Sequence, residues 1–297
     1  MDTVSVVIVT YKDHDMLLRA INSVLMQTYQ DIELIICDDG TPTFEESKIS
    51  SYILQMQSSR KFWIIHQKSN VGTVRNLNAG IRAATGKWIL LLAADDQLLD
   101  CNVVRRLVDQ ATVSDSEWLV SYTSVRNGKM LPEEHDAERL LSGDQKRIYA
   151  RLCAHCFIPS SGTMYKRRFL EEQGYFNEAY KLVEDWPMFV KWVRKGILPA
   201  MLPVVSVIKS TGGISNNHAR KNEPYQTDLI HVIQNEILPF ADELDEKYRK
   251  QLICNCQDKI SIYNFRFKCG TVLQKLDWIV NNMDVIYRKI FNRGELH

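Results

Sequence analysis

The sequence lacks any apolar run long enough to span a membrane. The longest runs, Val4–Val9 and Trp88–Ala94, fall far short of the roughly 20 residues that a transmembrane helix needs. The N-terminus begins Met1-Asp2, without the basic start and cleavage site of a signal peptide. We therefore expect a cytoplasmic protein.

The chain has almost no excess of positive or negative charge, and its cysteines do not form an even set that could pair completely. The net charge is +1, which gives the chain no overall field that would attract nucleic acid, and we expect no nucleic-acid partner. Seven cysteines are an odd number for a closed disulfide framework. The one CxxC motif, Cys153–Cys156, has no second pair at zinc-finger spacing, so we favour reduced core thiols over a zinc site.

Strand and helix patterns alternate through the first hundred residues. Val4–Thr10 is rich in β-branched residues, as in a strand buried on both faces, and Met16–Met26 follows with its apolar residues at helical spacing. This alternation predicts a parallel sheet with helices on both faces. The further predicted strands are Ile32–Cys37, Phe62–His66, Trp88–Leu92, Trp118–Val125 and Leu202–Ile208, the further helices are Lys48–Gln57, Thr73–Ala84, Asn102–Thr112 and Pro187–Lys195, and Arg126–Lys146 is predicted to be a long surface loop with some helix.

Polar residues stand where the first four predicted strands end. Thr10-Tyr11 follows the first strand, Asp38-Asp39 the second, Lys68–Asn76 the third and Asp95-Asp96 the fourth. Ligands of open α/β sheets bind outside the carboxyl ends of the strands, so we expect these residues to converge on one edge. The GxGxxG motif of a dehydrogenase is absent after the first strand, which argues against that class.

Each of these segments is open to two interpretations. Asp95-Asp96 offers hard oxygen ligands for Mg²⁺ or Mn²⁺, or it forms a turn or helix cap. Asp38-Asp39 offers acceptors for a nucleobase N–H, or it belongs to a plain Asp-Gly turn. Asn70–Asn76 is a glycine turn into a helix, which either brings Arg75 and backbone N–H groups to an anion or leaves Arg75 on the surface.

A third acidic pair, Glu184-Asp185, stands before Trp186-Pro187 at the start of a predicted short helix. The positive end of the helix dipole favours ionised carboxylates there. An ionised carboxylate could take a proton from an attacking hydroxyl as a general base. In isolation, ordinary capping of the helix is the simpler explanation of this pair.

Taken in order, five segments resemble the motifs of the inverting glycosyltransferases of family two. Val4–Tyr11 is similar to the opening VSVVIPTYN strand, and Ile35–Thr41 is similar to VVDDGST. Asn70–Asn76 resembles NxGxxxARN, Leu91–Asp96 resembles LDADD, the DXD region, and Glu184-Asp185 resembles the ED pair before the acceptor-side helix. Each motif is weak singly, but five in this order are specific.

The resemblance implies a fold, a division into domains and an activity. The fold is GT-A, an α/β fold with a Rossmann-like mixed sheet flanked by helices. Residues 1–221 would be the catalytic domain, with a nucleotide-binding half at 1–100, an acceptor half at 101–221 and an all-helical extension at 222–297. The activity is inverting transfer of a sugar from a nucleotide diphosphate, with UDP as the family's usual nucleotide, to a hydroxyl of a glycan, glycoprotein or glycolipid.

The resemblance also implies roles for single residues. Asp95 and Asp96 would hold Mn²⁺ or Mg²⁺, which neutralises the departing diphosphate. Asp185 would be the general base, and the anomeric configuration would invert as the acceptor oxygen attacks. Glu184 and Trp186 would contact the acceptor or the sugar. The nucleotide-binding residues would be Thr10, Tyr11, Asp39, Arg75 and Asp95.

Two departures from the family pattern bear on activity. Ala93 replaces the usual first Asp of the DXD region, and Thr211 stands where a His is often found. They leave open a catalytically silent relative that serves as a scaffold or partner protein. A sugar-phosphate nucleotidyltransferase is a further alternative, but its glycine-rich basic loop is absent after the first strand.

The sequence beyond Asn222 is helical in pattern. One set of apolar residues repeats every four positions, and a second alternates four- and three-residue steps as a heptad seam does. A helix with such a stripe must bury it. We rank self-association through these helices above peripheral membrane contact, with packing within the chain as the third alternative. The two sets are Leu244, Tyr248, Leu252, Cys256 and Ile260, and then Val272, Leu276, Ile279, Met283, Ile286 and Ile290.

Overall fold

The computed structural model of the chain describes residues 2–56, 60–125, 128–210 and 221–291. The strands found in these residues are β1 (Val4–Thr10), β2 (Ile32–Asp38), β3 (Lys61–His66), β4 (Trp88–Ala93), β5 (Gln97–Leu98), β6 (Trp118–Val125), β7 (Met130–Leu131), β8 (Met164–Lys166) and β9 (Ala200–Lys209). All nine belong to one sheet, in the order β3-β2-β1-β4-β8-β6-β9-β5, with β7 paired to β6.

The same residues contain twelve α-helices and a few short π and 3₁₀ segments. The α-helices are α1 (His14–Leu25), α2 (Glu46–Gln55), α3 (Thr73–Ala83), α4 (Val103–Ser114), α5 (Glu134–Ser142), α6 (Gln145–Ala154), α7 (Arg167–Glu172), α8 (Asp185–Arg194), α9 (Glu223–Val232), α10 (Glu246–Tyr263), α11 (Val272–Asn281) and α12 (Met283–Phe291). None of the helices in the described part of the chain is both long and apolar enough to cross a membrane.

The sheet is mixed, and its first four strands are parallel. β1 pairs in parallel with β2 and with β4, and β3 continues the parallel set on the outer side of β2. β8 then runs antiparallel between β4 and β6. With three residues, β8 is too short to show a period in the sequence, and it has no counterpart among the predicted strands.

Helices cover both faces of the sheet. On one face, α1, α2 and α4 pack in a single buried cluster against side chains such as Val6, Leu34 and Leu90. On the other face, α3 approaches so closely at Gly80 that a Cβ atom there would lie 2.5 Å from Cys37 Sγ. The predicted α/β fold class, a mixed sheet flanked by helices with a helical C-terminal region, is confirmed.

Aromatic packing fixes α8 against the sheet. The ring of Trp118 on β6 stacks on Phe189 with the ring centres 4.9 Å apart, and it meets Trp192 edge-on at 5.4 Å. Buried aromatic side chains contribute large apolar areas, so α8 sits on a rigid support. Since Glu184 and Asp185 stand at the start of α8, this packing also fixes their position.

The contacts divide the chain into two compact units, Met1–Asn217 and His218–His297. The first unit holds the sheet, and the predicted loop Arg126–Lys146 is more helical than expected, since it contains α5 and the start of α6. In the second unit, the residues of the predicted heptad seam are divided between two helices. α11 ends at Asn281, and Asn282 leaves the helical conformation before α12 begins. The finer predicted boundaries, at residues 100 and 221, stay predictions.

Candidate active site

The carboxyl ends of β1, β2, β3 and β4 line one edge of the sheet. The parallel registers pair Thr10 with Asp38 and Asp38 with His66. On the other side of β1, Val9 pairs with Ala93. The segments that follow these four strands therefore begin side by side at this edge of the sheet.

Asp38 closes the turn after β2. Its Oδ2 accepts a hydrogen bond from the Thr41 amide at 2.7 Å, and its Oδ1 accepts one from the Thr41 hydroxyl at 2.6 Å. Oδ2 also lies 2.8 Å from Nδ1 of His66, whose ring stacks on Phe44. The plain turn interpretation therefore describes Asp38, and Asp39 is the member of the pair that remains for a ligand.

Asp39 holds the glycine turn that follows β3. Its carboxylate accepts hydrogen bonds from the amides of Val71 and Gly72 at 2.7 and 3.1 Å. Burial raises the pKa of Asp39, and these two amides oppose that rise. Gly72 has a φ of +94°, and a Cβ atom there would lie 2.6 Å from Lys181 Cγ, so the turn requires glycine.

A cavity of about 280 Å³ opens beside the ends of β1 and β2. Thr10, one of the predicted nucleotide contacts, lines this cavity. Tyr11 does not line it; this side chain is 42% exposed, with the ammonium of Lys12 4.8 Å from its ring centre. The lining residues are Thr10, Lys12, Asp13, His14, Leu17, Asp38, Thr41, Pro42, Thr43 and Phe44.

Arg75 lies on the exposed side of α3. Its side chain is 60% exposed, and its Nε lies 3.8 Å from a carboxylate oxygen of Glu178. To reach a nucleotide, Arg75 would have to leave this contact. The motif NxGxxxARN has nine positions, and counting from Asn70 places its final Asn at Asn78 rather than Asn76.

Asn78 is fully buried and ties α3 to the segment before α8. Its Nδ2 donates to the Phe176 carbonyl at 2.8 Å and to Glu178 at 3.0 Å, and its Oδ1 accepts from the Phe176 amide. Full counting of the motif would have identified this residue from the sequence.

Asp95 and Asp96 follow β4 and differ in exposure. Asp96 is 1% exposed; its Oδ1 accepts from the Ser210 amide at 3.0 Å, and the nearby Ser161 hydroxyl lowers its pKa. Burial, and then the charge of Asp95, raises the pKa of Asp96 to about 6. Asp95 is partly exposed, and burial raises its pKa too. A cation beside the pair would relieve this cost of ionisation.

The oxygen ligands of this pair fit Mg²⁺ or Mn²⁺ held jointly with a substrate. Within the described ranges, no three His, Cys, Asp or Glu side chains are placed to hold a metal by themselves. Mg²⁺ is usually bound by one or two carboxylates together with substrate phosphates. Asp95 and Asp96 would supply the carboxylates, and the donor would supply the phosphates. Ala93 contributes no ligand atom, and Thr211 and His218 lie outside the described residues.

Glu184 and Asp185 stand at the N-terminus of α8. The Ser160 hydroxyl donates to Glu184 Oε1 at 2.7 Å, and Asp185 Oδ1 accepts from the amide of Trp186 at 2.7 Å. Glu184 occupies the cap position but makes no capping hydrogen bond with its side chain, so simple capping does not explain it. Burial, and then the charge of Asp185, raises the pKa of Glu184 to about 7, and burial raises the pKa of Asp185.

A pair of serines that no motif indicated joins the two acidic pairs. Ser160 donates to Glu184, and the next residue, Ser161, accepts from the Ala93 amide at 3.2 Å and lowers the pKa of the nearby Asp96. Gly162 follows with a φ of +84° and brings its backbone against β9. Because two adjacent residues hold both carboxylates, the pairs belong to one site.

Lys209, at the end of β9, also has no role predicted from the sequence. Burial raises the pKa of Asp95, Asp96, Glu184 and Asp185, and the positive charge of Lys209 opposes that rise at each of them. The lysine is therefore within electrostatic range of all four carboxylates.

Trp186 has a packing role in the structure. It is 4% exposed, and its indole N–H donates to the Leu152 carbonyl at 2.8 Å. Its single polar atom is thus engaged within the protein, and a contact with an acceptor or sugar stays an untested prediction for this residue.

Known proteins share the sequence pattern. The model of the family "Glycosyl transferase family 2" matches residues 5–174. An uncharacterized glycosyltransferase from Nostoc sp. is 35% identical over 172 residues, which are 57% of this chain and 52% of that protein. A PGL/p-HBAD biosynthesis glycosyltransferase from Mycobacterium bovis is 27% identical over 220 residues, 71% of this chain and 78% of that protein. The chain thus spans about half the length of the Nostoc relative.

Solved structures share the fold. The S. aureus protein TarS, residues 1–349 in complex with UDP-GlcNAc, superposes with a TM-score of 0.62 at 17% identity, over 96% of this chain and 81% of that one. The mannosyltransferase PcManGT from Pyrobaculum calidifontis, in complex with GDP-Man and Mn²⁺, gives a TM-score of 0.61 at 14% identity, over 97% of this chain and 81% of that one. This likeness confirms the predicted GT-A fold.

The region matched by the family model runs from β1 to just beyond α7. It contains Asp39, Asp95, Asp96 and the serine pair, and it stops before Glu184 and Asp185. Because the match covers more than half of the sequence, the chain belongs to glycosyl transferase family 2.

Proposed function

We propose that the chain is an inverting glycosyltransferase, which moves a sugar from a nucleotide diphosphate donor to a hydroxyl of a glycan, glycoprotein or glycolipid. The observation that carries this proposal is the linkage of Asp95-Asp96 to Glu184-Asp185 through adjacent serines. An inverting displacement needs charge stabilisation where the diphosphate leaves and a base where the acceptor attacks. The two acidic pairs supply both within one cluster.

On the donor side, Thr10, Tyr11 and Asp39 are the proposed contacts of the base and ribose. Thr10 lines the cavity at the sheet edge, and Asp39 holds the turn that opens α3. Asp95 and Asp96 would hold a divalent cation, which neutralises the charge that develops on the departing diphosphate.

On the acceptor side, Asp185 would remove the proton of the attacking hydroxyl. Burial raises its pKa, which makes it a stronger base than an exposed aspartate. Glu184, held by Ser160, would orient the acceptor beside it. Attack from the face opposite the diphosphate inverts the anomeric carbon in a single displacement.

The relatives indicate which donors and metal to test first. TarS has been solved with UDP-GlcNAc and with UDP, and PcManGT with GDP-Man and Mn²⁺. We therefore propose a UDP-sugar as the first donor to test, with Mn²⁺ as the first cation. None of the seven cysteines forms a disulfide, which supports a reducing, cytoplasmic location for this reaction.

The test is a panel of UDP- and GDP-sugars, assayed for release of free nucleotide with Mn²⁺ and with EDTA. We expect slow hydrolysis of one donor in the absence of acceptor, and loss of that hydrolysis in EDTA. A catalytically silent scaffold would release no nucleotide from any donor. Release that is unaffected by EDTA would contradict the role of the metal.

The C-terminal helices carry the proposed contact with a second copy of the chain. Trp278 of α11 packs on Phe265, with ring centres 4.6 Å apart, while eight other apolar residues of α11 and α12 are exposed. An exposed apolar surface of this extent usually marks an interaction site. The exposed residues are Val272, Leu273, Leu276, Ile279, Val280, Met283, Tyr287 and Ile290.

We expect the double variant Leu276→Glu, Val280→Glu to be monomeric in light scattering at micromolar concentration, where the unmodified chain forms a dimer or larger oligomer. Buried charge would break an apolar interface. Val113→Glu is the matched control, because Val113 is 83% exposed on α4, which belongs to the first unit of the chain. A monomeric unmodified chain would contradict self-association, and its sedimentation with anionic vesicles would support peripheral membrane contact instead.

A further inference from the structure

The end of β9 lies directly against the DXD region. β9 pairs Ile208 with Gln97, the residue after Asp96, and it pairs Lys209 with Val125 of β6. The amide of Ser210 donates to Asp96 Oδ1 at 3.0 Å. The peptide group between Lys209 and Ser210 therefore touches the carboxylate of Asp96, which fixes the origin of the lysine side chain.

The lysine side chain is half-buried among groups of opposite charge. Its positive charge acts on Asp95 and Asp96 on the donor side, and on Glu184 and Asp185 on the acceptor side. A nucleotide donor adds the charges of a diphosphate to these four carboxylates. One divalent cation does not balance that negative total, even though Ala93 stands where the usual pattern has a further carboxylate.

We propose that Lys209 binds the β-phosphate of the nucleotide donor and shares its charge with the metal. This proposal rests on the proposed glycosyltransferase function. The β-phosphate carries the transferred sugar, so it lies between the donor carboxylates and the base, and the charge of Lys209 acts on both of these groups. An ammonium on a strand end is a positioned point charge, and lysine commonly binds phosphate in this way.

If Lys209 only offset the charge of the carboxylates, its substitution would have a different effect on nucleotide binding. Its loss would weaken or distort the whole site, so every nucleotide would bind less well. A phosphate-binding lysine affects only ligands that carry the phosphate it contacts. UDP and UMP differ in the β-phosphate alone, and the ratio of their dissociation constants isolates that contact.

The experiment is isothermal titration of the full chain with UDP and with UMP, in Mn²⁺ and in EDTA. For Lys209→Met, we expect UDP to bind about 10- to 100-fold more weakly, as for loss of one charge-assisted hydrogen bond, with UMP little changed. The loss of UDP affinity should be larger in EDTA, because without a metal ion the lysine alone would neutralise the diphosphate. Lys209→Arg should keep most of the affinity, and Lys195→Met, an exposed lysine at the end of α8, is the matched control.

Equal losses for UDP and UMP in Lys209→Met would overturn the proposal and give the lysine a structural role. Unchanged binding of UDP would overturn it as well. If the unmodified chain binds neither UDP nor GDP in Mn²⁺, and releases nucleotide from no donor, the proposed function itself fails, and the assignment of Lys209 falls with it.

Discussion

Asp185→Asn should abolish sugar transfer while leaving the binding of UDP and Mn²⁺ nearly unchanged. The variant keeps the size of the side chain and can still accept from the Trp186 amide, but it cannot take the acceptor proton. Loss of a positioned general base typically costs about 10²- to 10⁴-fold in rate. The measurement is the transfer rate to the identified acceptor, beside a titration with UDP.

Asp115→Asn is the matched control for this substitution. Asp115 is fully exposed and has a φ of +47°, a conformation that asparagine tolerates, so activity should be unchanged. If Asp185→Asn lost nucleotide affinity to the same degree as transfer, Asp185 would be a binding or structural residue.

Asp96→Asn should lower transfer sharply and, in the absence of metal, stabilise the fold at alkaline pH. Transfer falls because the cation that balances the diphosphate loses a charged ligand. Stability rises because the pKa of Asp96, raised to about 6 by burial and by Asp95, makes ionisation of the folded protein costly. At about 1.4 kcal/mol per pKa unit, the difference from 3.8 amounts to at most about 3 kcal/mol.

The direction of this pH effect follows from the raised pKa. The folded protein favours the neutral acid, so this contribution to stability is complete below pH 3.8 and is lost as pH rises through about 6. Asparagine stays neutral throughout. Thermal unfolding in EDTA should therefore show a higher melting temperature for Asp96→Asn than for the unmodified chain at pH 8, with little difference at pH 4. A lower melting temperature at pH 8 would show that the carboxylate stabilises the fold.

The sequence predicted the parallel half of the fold because its strands are long and apolar. Val4–Thr10 and the strands beside it are buried on both faces, so continuous apolar runs mark them, and polar residues mark where they end. The acidic residues at these ends could be found for the same reason. The short β8 and the helices α5 and α6 were harder to predict, since tertiary packing rather than local pattern determines them.

Residues that act through tertiary contacts leave no local pattern in the sequence. Ser160 and Ser161 meet carboxylates that lie 24 and 65 residues away along the chain, and no local spacing shows such contacts. The sequence gives no sign of a role for Lys209, because a lysine after a strand is ordinarily a solvated residue. The Arg of the motif NxGxxxARN falls at Leu77 when the motif is counted from Asn70, and the structure places Arg75 against Glu178 on the surface.

The most direct test of the central claim is a crystal structure of the chain with UDP and Mn²⁺, with the cation located by its anomalous scattering. We predict a manganese peak within about 2.5 Å of a carboxylate oxygen of Asp95 or Asp96 and of the diphosphate, with Asp185 on the side from which an acceptor would approach. A nucleotide bound away from this edge of the sheet, or a manganese ion without a contact to either aspartate, would contradict the account.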